Sequence, residues 1–467
     1  MSDKQLNTLI AHYLATHARP ALHPFLAASD TPAPDLSNPP NPDLLTLVTD
    51  ARAAQLASQL NNIHIAPVDD LKALLAEPLP SSDKLRSDRA FEHITDGNLT
   101  AVAVADLPRR SFNTATAEYE TRHARSIVVG GADRTIRIVD WESGEVVQML
   151  QGKAPVLCLA IHPKNSRYVV SGGMDGALML WDTVTHTALQ TFSGAKFVVR
   201  VSFSKDGRWL AAASYDKSVS VYEALGAAQH TETGDEDADA WLHALDPNDD
   251  ADAAADPELR YELKKRVVTQ GNPEALLFHP ASSWLMYTQR ESPELHYLGL
   301  PSSPSTEGWE WPTRTKSFNA HALDTHVSFA VLDLALHPSG RLIGAITGDH
   351  AGPGAERILL YGVEPDETER LACLWTRSEP DAFVLPRLAF LPSGKGIVTT
   401  NANGELTLLS LQGEVRNKLK VHAARAGVAG TSDVVRDLAV VPLGDEGGWE
   451  VVSVGYDRTI QMTLGRK

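Results

Sequence analysis

The sequence predicts a mainly β fold, a seven-bladed β-propeller preceded by a small α-helical N-terminal region. Two recurring stretches carry that expectation. The first reads IVVGGADRTIRIVDW at 127–141, VVSGGMDGALMLWD at 169–182, LAAASYDKSVSVYE at 210–223 and VVSVGYDRTIQMTL at 451–464. Each is an apolar strand, a small-residue step, a turn Asp and an alternating strand. The first three turn aspartates, Asp133, Asp175 and Asp216, are spaced 42 and 41 residues apart. The second stretch lies upstream and reads VLCLAIHPKNSRYVV, VVRVSFSKDGRWLAA, LDLALHPSGRLIGA and PRLAFLPSGKGIVT: a strand, a Pro or Lys-Asp-Gly turn, and another strand. Four short strands repeating at ~40–45 residues make a blade, and blades close into a ring.

Seven first strands begin near Leu99, Val156, Val199, Pro273, Val331, Leu385 and Val434. The last unit shows only three strands before Lys467, whereas 88–95 (DRAFEHIT) offers an extra strand ahead of the first. A ring whose final blade borrows that strand leaves no exposed sheet edge, so Asp88–Thr95 is assigned to closure. The propeller is therefore expected over 88–467, interrupted by an acidic insertion at 226–265. Eleven carboxylates and no Lys or Arg lie between Glu232 and Glu258, which suits a solvated loop between the third and fourth strands of blade 3. Within it, Trp241, Leu242 and Leu245 form an apolar island with the character of a docking segment. Asp235, Asp237 and Asp239 resemble a calcium loop, but Ala240 stands where Gly is needed and Asp246 where a bidentate Glu is expected.

Composition narrows the function classes. The 467 residues carry a net charge of −17, which disfavours direct nucleic-acid binding or an anionic membrane surface. Two cysteines, Cys158 and Cys373, exclude a disulfide framework and a four-cysteine zinc site. No apolar run approaches the ~18 residues of a membrane helix, and no secretory leader opens the chain. An intracellular protein, cytoplasmic or nuclear and without membrane insertion, is expected. There is no G-x-S-x-G, H-E-x-x-H or Walker sequence, and Gly394-Lys395-Gly396 reads as a β-turn. His162, His279 and His337 each precede a Pro at equivalent repeat positions, the mark of a shared turn. Neither a metal nor a cofactor is predicted, and the chain reads as non-enzymatic.

The repeats resemble the WD40 family over about 380 of the 467 residues, although the eponymous dipeptide survives only as Trp181-Asp182. The resemblance implies structural roles for Asp133, Asp175, Asp216 and Asp457, whose carboxylates cap tight turns. It also implies that the preceding position, Ala132, Met174, Tyr215 and Tyr456, opens on the face where partners dock; Met and Tyr are good anchors there. A second set lies on the inner strands, five residues before each turn: Cys158, Arg200, Ala275, Asp333, Arg387 and Asp437. Four of the six are charged, which points either to ion pairing between blades or to a charged channel mouth that holds a peptide.

Residues 1–30 resemble a lissencephaly-homology (LisH) dimerisation motif. Leu6, Leu9, Ile10, Tyr13 and Leu14 follow helical spacing, and Phe25 continues on a second short helix. Residues 31–85 hold a Pro-rich spacer and helices at 43–61 and 68–77. The combination implies a homodimeric scaffold for protein or peptide partners. Family members with this layout serve transcription or chromatin complexes, RNA processing, motor regulation and ubiquitin ligases. A ligase substrate receptor is the weaker alternative, because Trp181-Asp182 is followed by Thr183-Val184 and lacks the expected Arg.

Overall fold

The computed structural model describes residues 68–113, 118–225, 259–302, 308–319, 330–348, 356–378, 384–444 and 447–466, with scattered positions before residue 35. The chain divides into two compact units, Met1–Asp70 and Leu71–Lys467. In the first, described helical positions are confined to 8–15 and 26–27. Ile10, Tyr13 and Leu14 are helical and half-buried, while Leu6, Leu9, Phe25 and the helix expected at 43–61 lie outside the described residues. The expected helix at 68–77 is present as Val68–Ala76. A substantial helical region ahead of the ring is not seen among the described residues.

The second unit holds seven four-stranded antiparallel sheets. Blade 1 spans 99–151, blade 2 156–192, blade 3 198–268, blade 4 273–317, blade 5 330–375, blade 6 388–420 and blade 7 435–466. First strands of successive blades approach one another around a complete circle, the first and last included. The seventh sheet takes its outer strand from Arg86–Phe91, which pairs antiparallel with Ile460–Arg466. Closure by the assigned segment therefore holds, shifted toward the N-terminus. Before that strand the chain straps blade 6 to blade 7. Asn417 bonds both the N–H and the carbonyl of Leu85, Arg416 donates to the Leu79 carbonyl, and Lys84 N–H reaches the Gly465 carbonyl.

The second strand of most blades is packed on both faces by neighbouring blades, so it reads as a mainly small or apolar run rather than an alternating one. Trp209–Ser214, Leu342–Gly348 and Gly448–Gly455 are buried throughout. The small-residue step has a steric cause. A Cβ on Gly130 would lie 2.6 Å from Val156 Cγ1, and one on Gly172 would lie 2.6 Å from Val198 Cγ1 of the next blade. Each interface between neighbouring blades holds its own apolar cluster, as where Val129 and Trp141 meet Val452 and Met462 across the closure.

Two elements differ from expectation. Leu99–Asn113 and Glu118–Gly131 form a hairpin far longer than the six-residue strands typical of the other blades. The strand Arg260–Val268 starts inside the segment expected as insertion and pairs with Ser218–Leu225. Tyr261 ties it down, buried and donating its hydroxyl to the Gly207 carbonyl. The calcium-like residues and the Trp241 island lie outside the described residues.

Candidate functional site

The inner strands place four charged side chains around the central channel. A β-bulge interrupts pairing immediately before Arg200, Asp333 and Asp437, between 198/200, 331/333 and 435/437. A bulge re-aims the side chain beside it, and here the charged side chains that follow reach across to other blades. Arg200 Nη2 lies 3.3 Å from Asp333 Oδ1, although they belong to blades 3 and 5. Arg387 stands between Asp333 at 3.9 Å and Asp437 at 3.2 Å. The remaining carboxylate oxygens hold neighbouring blades: Asp333 Oδ2 accepts the Leu388 N–H at 3.2 Å, and Asp437 Oδ2 accepts the Val102 N–H at 2.9 Å. That last bond spans the same junction that the N-terminal strand seals.

All four of the predicted channel charges thus converge, and each is paired with another. The pairs are loose, so attraction does not offset burial: desolvation pushes the Asp333 carboxyl up to about 6, against the pull of Arg200, and raises that of Asp437. Arg387 is 5% exposed, and its Nε and Nη1 make no well-aligned hydrogen bond. Cys158 and Ala275, at the same repeat position in blades 2 and 4, are buried; burial pushes the Cys158 thiol up to about 12. In blade 4 the charge has moved one residue back. Glu274 is fully buried, accepts the Tyr215 hydroxyl at 3.1 and 3.0 Å, and lies 3.4 Å from Arg290. Burial, then the Glu274 carboxylate, pushes the Tyr215 phenol up to about 12.

The positions before the turn aspartates share one face. Ala132, Met174, Tyr215 and Tyr456 donate their N–H groups to Asn98, Pro155, Phe197 and Val434, the residues that lead into the first strands. Met174 is 45% exposed, and Tyr215 and Tyr456 are half-buried. The turn aspartates serve their own turns. Asp133 accepts from Thr95, Thr135 and Arg137, Asp175 from the Ala177 N–H, and Asp216 from Ser218 and Arg266.

Asp457 also caps its own turn, accepting from the Thr459 N–H and hydroxyl, and in addition reaches outside it. Its Oδ1 meets His422 Nδ1 at 2.9 Å, and His422 Nε2 meets Ser453 Oγ at 2.9 Å. The order of bonds is that of a hydrolytic triad, yet His422 and Ser453 are 0% exposed, so no substrate atom reaches the hydroxyl. The sequence reading did not single out His422; its place 35 residues before the turn Asp was the available signal. Trp181 and Ser171 form a comparable bond in blade 2, at 2.8 Å. The His-Pro residues are inter-blade latches. His162, His279 and His337 accept turn N–H groups through Nδ1, while Nε2 faces Gly207, Glu364 and Gly394 of the following blade. Gly207, at φ +76°, has no space for a Cβ beneath the His162 ring.

These features define a seven-bladed β-propeller carrying WD40 repeats: the model of the WD domain, G-beta repeat, matches residues 144–182 and 186–223. Among curated proteins the chain is similar to THO complex subunit 6 of Homo sapiens, 33% identical over 20% of this chain and 26% of that protein. Its Danio rerio homolog is 30% identical over 26% of this chain and 42% of that one. Polycomb protein esc of Drosophila virilis is 25% identical over 25% and 28%. The chain spans less than half the length of the curated relatives it matches. Among the described residues no helix is long and apolar enough to cross a membrane.

Proposed function

We propose that this protein is a non-enzymatic scaffold that binds protein or peptide partners on the face bearing Met174, Tyr215 and Tyr456, with Arg200, Asp333, Arg387 and Asp437 at the channel behind it. The observation that carries this reading is the repeated backbone bond that presents one side chain per turn on a common face of a closed ring. Rigid presentation of Met and Tyr lowers the ordering cost of binding. Channel charges that face one another favour a supporting role, in which they set the geometry of the mouth. Membership of a multiprotein assembly, as the name of THO complex subunit 6 states for that relative, is preferred to a ubiquitin-ligase receptor. Transcription or chromatin complexes are the corresponding class, and the cytoplasm or nucleus the corresponding place. Self-association through Leu6, Leu9, Ile10, Tyr13, Leu14 and Phe25 belongs to the same proposal.

Quantitative affinity capture tests the face. Met174→Glu, and Tyr215→Ala with Tyr456→Ala, are expected to lose partners that the unaltered protein retains, with an unchanged melting midpoint for Met174→Glu. Retention of every partner by both variants would place the interface elsewhere.

A further inference from the structure

In a chain of net charge −17, one sector of this face is basic. Arg134, Lys153, Lys196 and Lys217 are exposed, and among the described residues none of their side chains makes an ion pair. They share the face because Gly152 donates its N–H to the Arg134 carbonyl, Ser214 Oγ to the Lys196 carbonyl, and Thr269 N–H to the Lys217 carbonyl. The acids of the same turns are mostly neutralised: Asp133 faces Arg137 and Asp216 faces Arg266, which leaves Asp175 exposed. Met174 and Phe197 on the same turns are exposed as well, at 45% and 38%.

Beside this arc a cleft of about 170 Å³ opens between blades 2 and 3. Its lining is mixed: Leu178, Phe192, Val198, Tyr222 and the exposed Leu263 supply the apolar part, and serine hydroxyls with the Asp216–Arg266 ion pair supply the polar part. That volume accepts one aliphatic side chain. Charge complementarity then selects the occupant. We propose that an acidic peptide segment of a partner docks across blades 1–3, its carboxylates along Arg134, Lys153, Lys196 and Lys217 and one leucine-like side chain in the cleft between blades 2 and 3. A polyanion without an apolar anchor leaves the cleft empty and engages only the cations, so it uses half of the site. This inference rests on the docking-face reading and specifies its chemistry.

The test uses the full chain and a fluorescein-labelled peptide of Asp and Glu residues around a single Leu, read by anisotropy. Binding is expected to weaken with added salt and to fall at least about ten-fold in Lys196→Glu/Lys217→Glu, since like charges then oppose. Leu263→Ser is expected to weaken this peptide and to leave unchanged a charge-matched peptide with Ala for Leu. Equal binding of the two peptides, equal or tighter binding of a charge-matched single-stranded oligonucleotide, or indifference to the charge reversal would overturn the proposal. Peptide binding that emerges only after removal of 230–258 would overturn it in favour of the chain's own acidic segment. In each case capture that depends on Tyr215, Tyr456 and Met174 is a separate measurement, so the broader reading stands or falls independently.

Discussion

His422 shows how much a single buried side chain holds. It joins the loop after blade 6 to Asp457 and Ser453 of blade 7, in a site closed to water. His422→Ala leaves the Asp457 carboxylate and a serine hydroxyl without that partner, a loss of about 2–4 kcal/mol in urea unfolding at neutral pH. A loss below about 0.5 kcal/mol would contradict the structural role. Glu450 is the converse case. It is 2% exposed, one carboxylate oxygen has no hydrogen-bond partner, and burial, with Asp88 opposing Arg89, pushes its carboxyl up to about 7. A folded value above the unfolded one means that stability held by the protonated form is present below the ordinary glutamate range. It is lost as pH rises through about 7. Glu450→Gln is therefore expected to match the unaltered protein near pH 4 and to exceed it by on the order of 1–3 kcal/mol near pH 8. Paired melts across that window check the sign.

At the scale of elements, closure depends on a strand from outside the repeats. Arg86–Phe91 covers Ile460–Arg466, and Phe91 packs with the cluster between blades 7 and 1. Deleting residues 86–91 exposes a sheet edge, so a lower melting midpoint and concentration-dependent aggregation are expected by calorimetry and light scattering. Excising 230–258 is the contrasting cut. Arg260–Val268 keeps its own pairing with Ser218–Leu225 and its Tyr261 anchor, so the melting midpoint should not move. A large fall would mean that the acidic segment contributes to the core.

For the whole molecule, the channel joins blades that are not neighbours. Asp333 meets Arg200 from blade 3 and Arg387 from blade 6, and Asp437 continues from Arg387 to the Val102 N–H of blade 1. Arg387→Leu leaves two buried carboxylates without their shared cation, and a cost of about 3–5 kcal/mol is expected at neutral pH. If that variant unfolds like the unaltered chain, the channel charges are free for another use, and the peptide-binding account of them gains. Light scattering of the chain lacking residues 1–30 addresses assembly: an unchanged mass would reject dimerisation through that segment.

The period of the repeats, the turn aspartates and the closing strand were legible in the sequence because each is a local pattern. An apolar run, a small step and a capping Asp dictate a hairpin wherever they occur, and 88–95 announced itself as a strand without a sheet. The convergence of Arg200, Asp333, Arg387 and Asp437 was visible only as charges at a common repeat position. Their pairing depends on bulges and on distances across a ring, which no window of sequence contains. The same holds for His422 and Glu450, whose partners lie 31 or more residues away or on the borrowed strand. Local residue chemistry determined the blades; the closed ring alone decided which polar groups lost water and which found one another, because burial and long-range pairing are properties of the assembled surface rather than of any strand within it.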